Sequence, residues 1–157
     1  MLAESRLFAT LDPTSRKKRL PKEAEVIITD TVGFIRELPR ELITAFRATL
    51  EELEDADLLI HVIDISNPRC EHQVKSVEQI VENLHLDEIL VLRVLNKQDL
   101  VDPISVRKWT RRLGGIPISA HDEKTLGPLL DRIEWHVRRL KRGVTCHGAQ
   151  QAVTVIA

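Results

Sequence analysis

Three apolar runs that each end in polar side chains, separated by helix-patterned segments, constrain this chain more than any other feature. They are EVIITD (25–30), DLLIHVID (57–64) and EILVLRVLN (88–96). Runs this rich in Val, Ile and Leu read as strands buried on both faces. Between and after them the apolar period changes from two to about four. Pro39 opens a stretch with Leu42, Phe46, Leu50 and Leu53 on one face, and Val74, Val77, Val81 and Leu84 repeat the pattern. Asn67-Pro68 is expected to cap the second of these helices and to place a proline at its first position. A short helix is expected over 104–113, broken by Gly114-Gly115. A short strand IPIS (116–119) follows, then a helix over Thr125–Lys141 with Leu126, Leu129, Leu130, Ile133 and Val137 inside. Strand–helix alternation of this kind implies a parallel sheet with helices on both faces.

Size and composition narrow the class further. The chain has 157 residues, enough for one domain with a core, and an ordinary balance of 43% hydrophobic and 30% charged residues. No run approaches the roughly 18 apolar residues of a membrane span, and the N-terminal MLAESRLFATLD lacks a signal-peptide pattern. Cys70 and Cys146 suit reduced thiols, so a cytoplasmic location without membrane attachment is expected. The formal net charge of −1 argues against non-specific coating of nucleic acid. Charge is nevertheless segregated: Arg16–Arg19 form a basic run best read as a solvated edge strand, and Arg138, Arg139, Lys141 and Arg142 form another. The six histidines make no ligand set, and Trp109 and Trp135 read as packing residues on helices.

Polar residues gather where a parallel sheet binds ligands. Asp30, Asp64, Asn96-Lys97-Gln98-Asp99 and Ser119 all stand at the C-terminal ends of strands. D-T-V-G at 30–33 would let Asp30 reach Mg²⁺ through water, and would bring the Gly33 backbone N–H against a terminal phosphate. N-K-Q-D at 96–99 is more specific. Asp99 would accept from the N1–H and 2-amino groups of guanine, which adenine lacks on that edge, while Lys97 lays its stem on the purine face. Ser119-Ala120 would add a backbone N–H for the guanine O6. Each motif alone is weak, but their order and spacing are not. N-K-x-D begins 66 residues after Asp30 and S-A 23 residues after Asn96, each at a strand end.

With LFATLDPTSRKKRLP and EVIITDTVGFIRELPRELITAFRATLEELEDADLLIHVIDISNP, these motifs closely resemble the HflX family of translational GTPases, from about Leu7 to about Leu140. The resemblance implies a three-layer α/β fold of the P-loop GTPase type, with a parallel or mixed sheet. It implies GTP and GDP as ligands, Mg²⁺ as cofactor and the ribosome, mainly its large subunit, as partner. It makes LFATLDPT the first switch, with Thr10 on Mg²⁺ beside Asp30, and DTVGF the second. Gly33, Asn96, Lys97, Asp99, Ser119 and Ala120 are then the nucleotide-binding residues. Phe34 follows Gly33, so no Gln orients water there as in Ras-like proteins, and slow unaided hydrolysis is expected.

The sequence departs from the family at three places. No G-x-x-x-x-G-K-[ST] occurs in it, although the family's first strand and that loop precede LFATLDPT. A central strand between EVIITD and DLLIHVID should therefore be missing, leaving exposed edges through which molecules self-associate. HDEKT (121–125) stands where the family has a Gly-rich loop. Residues 143–157 resemble nothing in the family and read as a frayed tail of unknown role following a partial G domain at 1–142; AVTVIA filling the vacant slot is the minority alternative. GTP binding and hydrolysis are accordingly expected to be impaired. A non-catalytic interaction module, or a gene fragment that keeps the scaffold, is the alternative.

Overall fold

The computed structural model describes residues 14–30, 53–86, 88–143 and 151–156. Thr10, Gly33, Phe34 and the helix expected from Pro39 lie outside the described residues. The sheet has six strands: β1 (Thr14–Arg19), β2 (Glu25–Asp30), β3 (Leu58–Asp64), β4 (Val91–Asn96), β5 (Ile116–Pro117) and β6 (Gln151–Ile156). Their spatial order is β1-β2-β6-β3-β4-β5, antiparallel between β1 and β2 and parallel at every other pairing. The described helices are α1 (Cys70–Asn83), α2 (Pro103–Leu113) and α3 (Gly127–Gly143). The α/β fold with a mixed sheet expected from the sequence is the one observed.

The slot expected to stand vacant is filled. β6, from the segment read as a frayed tail, lies parallel between β2 and β3, with Val26↔Gln151 on one side and Leu58↔Val153 on the other. The central gap and its exposed edges are thus absent, and the self-association that rested on them loses its basis. Three features hold β6 there. Val153 and Ile156 are fully buried and belong to different apolar clusters. Val153 packs with Leu58, Ile60, Ile133 and Val137, whereas Ile156 packs with Leu59, Val77 and Val81. A strand buried on both faces is what a central position demands. Outside the ladder, Asp57 clamps the strand's start: its Oδ2 accepts from the Ala152 N–H at 2.8 Å, and its own N–H donates to the Ala152 carbonyl at 2.9 Å.

Helix ends follow local chemistry, with one departure. Asp102 caps α2 by accepting from the Ile104 and Ser105 N–H groups, Pro103 takes the first turn, and Gly114 closes the helix at φ 65°. At Gly115 a Cβ would stand 2.8 Å from Leu95 Cγ and 3.0 Å from the Arg93 carbonyl, so this position keeps β4 and β5 close. α1 starts at Cys70, later than Asn67-Pro68 suggests. Asn67 Oδ1 instead accepts from the Arg69 N–H at 2.9 Å, a local turn that competes with capping the helix.

Two buried ionisable groups join the layers. Glu134 on α3 is 1% exposed and accepts from the Lys22 and Ala24 N–H groups at 2.8 and 3.3 Å, and from Arg138. It thereby binds the β1–β2 turn to the helix. Burial alone would raise its carboxyl, but these hydrogen bonds outweigh burial and hold it below the usual value. His61 lies in β3, opposite Ile156, and is buried. Burial, aided by the charge of Arg93, pushes its pKa down to about 4. His61 is therefore neutral when folded and must protonate at a cost below its unfolded value. Stability should be complete above about pH 6.5 and fall as the pH drops towards 4, by about 3 kcal/mol from this group. Urea unfolding of the chain and of His61→Phe between pH 7 and 4 checks this, the substitution being expected to flatten the dependence. Equal slopes for both would contradict the assignment.

Candidate nucleotide site

The polar ends of β2, β3 and β4 come to one edge of the sheet, because parallel strands end together. β3 and β4 pair in register to their last residues, Asp64↔Asn96, and Asp30 ends β2 opposite Val155 of β6. The backbone reverses at Lys97, which adopts φ 66° and ψ 34° and turns the chain out of β4 into a single 3-10 turn at Gln98–Leu100. Asn96 makes that reversal stable. Its Oδ1 accepts from the Lys97 N–H at 2.8 Å and from the Ala120 N–H at 3.1 Å, tying the N-K-Q-D and S-A segments together. The Gln98 N–H donates to the Ile118 carbonyl at 3.1 Å, a second tie between the same segments.

Asp99 is thereby exposed at the mouth of this pair of loops. A hydrogen bond from the Ser119 hydroxyl lowers its carboxyl first, and the charges of His121 and Lys97 add to the effect. It is an ionised acceptor at neutral pH, as reading two donors on a base edge requires. Ser119 is buried, 2% exposed, and acts as a support beneath Asp99 rather than as an open contact. The Ala120 N–H, read from sequence as a donor to guanine O6, is engaged by Asn96 in this structure.

HDEKT does not leave the segment loose, although it lacks glycine. Thr125 Oγ1 accepts from the Ser119 N–H at 2.9 Å and lies 3.1 and 2.7 Å from the Ser119 and Asp122 carbonyls. Asp122 in turn accepts from the Lys124 N–H. Side-chain hydrogen bonds here do the work of a tight glycine turn.

Asp64 is the site residue that motif reading passed over. Its Oδ2 lies 2.7 Å from Lys97 Nζ, and its Oδ1 accepts from the Ser66 hydroxyl and N–H at 2.6 and 3.0 Å. Burial opposes ionisation, but the Lys97 and Ser66 hydrogen bonds prevail and keep the carboxyl below its ordinary value. The pair holds the Lys97 stem across the gap between β3 and β4. The signal in the sequence was the position of Asp64 at a strand end, which did not reveal the lysine it meets.

Asp30 is an exposed carboxylate at the end of β2. Among the described residues no three His, Cys, Asp or Glu groups gather as a metal site. One carboxylate fits a Mg²⁺ that is carried largely by phosphate and water, not one caged by protein. Thr10 and Gly33 lie outside the described residues, so their relation to Asp30 rests on sequence.

Residues 2–97 match the family model described as 50S ribosome-binding GTPase. The chain belongs to this family of GTPases. It is 48% identical over 131 residues to the GTPase HflX of Caldanaerobacter subterraneus subsp. tengcongensis, covering 83% of this chain and 30% of that protein. For GTPase HflX of Magnetococcus marinus the identity is 41% over 140 residues, 88% and 32% of the two chains. For that of Escherichia coli it is 43% over 105 residues, 67% and 25%. The chain thus spans about a third of the length of these relatives or less. The family resemblance read from the switch and base-reading motifs is therefore correct.

Proposed function

We propose that this chain is the guanine-recognising part of a ribosome-associated GTPase, gripping the base well and the phosphates weakly. The observation that carries this reading is Asn96 binding the N-K-Q-D and S-A loops together with Asp99 exposed between them. Asp99 selects guanine by its two donors, and Lys97, steadied by Asp64, covers the ring. Gly33 supplies a backbone N–H towards the terminal phosphate. Thr10 and Asp30 would hold Mg²⁺, and the ion would offset phosphate charge there. GTP hydrolysis, the large ribosomal subunit and a cytoplasmic setting belong to the same reading.

No G-x-x-x-x-G-K-[ST] lies within these 157 residues, so the contacts they supply themselves are mostly to the base. Purified chain titrated with a fluorescent GTP analogue should give a dissociation constant near the millimolar range, about −4 kcal/mol. A micromolar value would overturn the claim that phosphate contact is lacking. One observation favours a second reading, a non-catalytic interaction module: β6 fills the slot where the family places its first strand, so the scaffold closes without that strand and its loop. Ribosome sedimentation with and without GTP separates the two, since a module independent of nucleotide should bind equally in both.

A further inference from the structure

α3 buries Ile133, Glu134 and Val137 and turns its opposite face to solvent. Arg132, Trp135 and Arg139 follow on that face at spacings of three and four, about one turn apart. Trp135 is 50% exposed, unlike Trp109, which packs against the cluster of Ile63, Leu95 and Leu113. The packing role expected for both tryptophans holds for Trp109 alone. The Arg139 guanidinium carbon lies 5.1 Å from the Trp135 ring centroid, and the His136 ring stands nearly perpendicular to the indole, at 82° with 4.7 Å between centroids.

Two of the charges beside the indole are paired elsewhere, and two have no ion pair among the described residues, although Arg139 lies over the ring. Arg138 is bound to Glu134 and to the Lys22 carbonyl, and Asp131 pairs with Lys22 at 3.2 Å. Arg132 and Arg139 make no ion pair with any described residue. Burial first, then the charges of Arg132 and Arg139, lowers the His136 pKa, so that ring is neutral at pH 7.

An apolar partner would cover the indole but strand two guanidinium groups. An acidic peptide would satisfy those groups but has no need of the ring. A strand of unpaired nucleotides uses both, because bases stack on aromatic faces while phosphates accept from arginine. We propose that this face of α3 docks a single-stranded RNA segment, one base stacking on Trp135 with flanking phosphates on Arg132 and Arg139. The proposal deepens the ribosome reading above by naming the surface and the RNA chemistry it takes.

The full chain is titrated with a 12-nucleotide oligouridine while tryptophan fluorescence is followed. Binding should quench the signal, and a 12-base-pair RNA duplex should bind more weakly because its bases are already stacked. Trp135→Ala should weaken oligouridine binding about 10-fold, and Trp135→Phe, followed by anisotropy of labelled RNA, should restore most of it. Arg132→Ala with Arg139→Ala should reduce the slope of log K against log salt by about 1.4, two single-strand phosphate contacts. Circular dichroism establishes that each variant is folded. The proposal is overturned if the chain ignores oligouridine, if folded Trp135→Ala binds it unchanged, or if phosphatidylserine vesicles bind and RNA does not. Sedimentation with large ribosomal subunits separates the two readings. Trp135→Ala sedimenting as well as the parent chain would remove the α3 surface and leave the ribosome reading. Trp135-dependent RNA binding without sedimentation would uphold the surface and remove the ribosome partner.

Discussion

Deleting residues 150–157 should abolish the cooperative unfolding transition and convert a dispersed protein into aggregates. β6 contributes two ladders, to β2 and to β3, and closes the sheet between them. Its loss uncovers two unpaired parallel edges at once, the surface that pairs between molecules. It also removes Val153 and Ile156, and burial of such side chains is worth about 1.5–3 kcal/mol each before cavity costs are added. Against a total stability of about 5–15 kcal/mol, that loss alone leaves little margin. Val153→Asp tests the same point without shortening the chain, since it places a carboxylate among Leu58, Ile133 and Val137 with no partner. Asp57→Ala should be milder, at about 1–3 kcal/mol, because it frees one end of the strand and leaves the ladders. Thermal denaturation with light scattering measures all three. A deletion variant that stays monomeric and melts as before would show that β6 is not the central strand.

Asp99→Asn should reverse nucleotide preference from GTP towards XTP by about 10³-fold, the consequence of exchanging a matched base edge for a mismatched one. Guanine offers N1–H and an amino group to the carboxylate. Xanthine replaces the amino group with a carbonyl, to which the asparagine amide donates. Asp99 is exposed and its support from Ser119 is a donated hydroxyl, which an amide oxygen also accepts, so the substitution should leave the fold intact. The comparison of GTP with XTP is made on the chain with the family's first strand and phosphate loop added, because at about −4 kcal/mol a 10³-fold change would consume the whole binding energy. Lys97→Ala is the control: it removes the cation that Asp64 holds, which the proposed reading lays along the base, and should weaken both nucleotides without changing their order. An unaltered GTP/XTP ratio in Asp99→Asn would reduce N-K-Q-D to a turn and take the guanine reading with it.

Much of the site was legible because its residues are local in sequence and their positions at strand ends follow from apolar patterning. Asn96, Lys97 and Asp99 are neighbours, and the runs before them identify the strand that carries them. The pair formed by Asp64 and Lys97, 33 residues apart, was not legible, since side-chain reach across strands depends on register. The bonding of Thr125 to Ser119 was hidden for a related reason: HDEKT departs from the family's Gly-rich loop, and only the hydroxyl geometry shows how it closes.

β6 marks the boundary most clearly. By itself the sequence determined an α/β sheet, the family, and the strand ends at which the candidate base-reading motifs stand. Residues 143–157 read as a frayed tail, and that reading was wrong for AVTVIA, because a six-residue apolar run carries no record of its neighbours. Only the tertiary structure decided it. The slot between β2 and β3 supplies hydrogen-bond partners on both sides and an apolar cluster on each face, and the Asp57 clamp fixes the register. Those partners come from residues about 90 to 130 positions away, and a pattern read along the chain does not contain them.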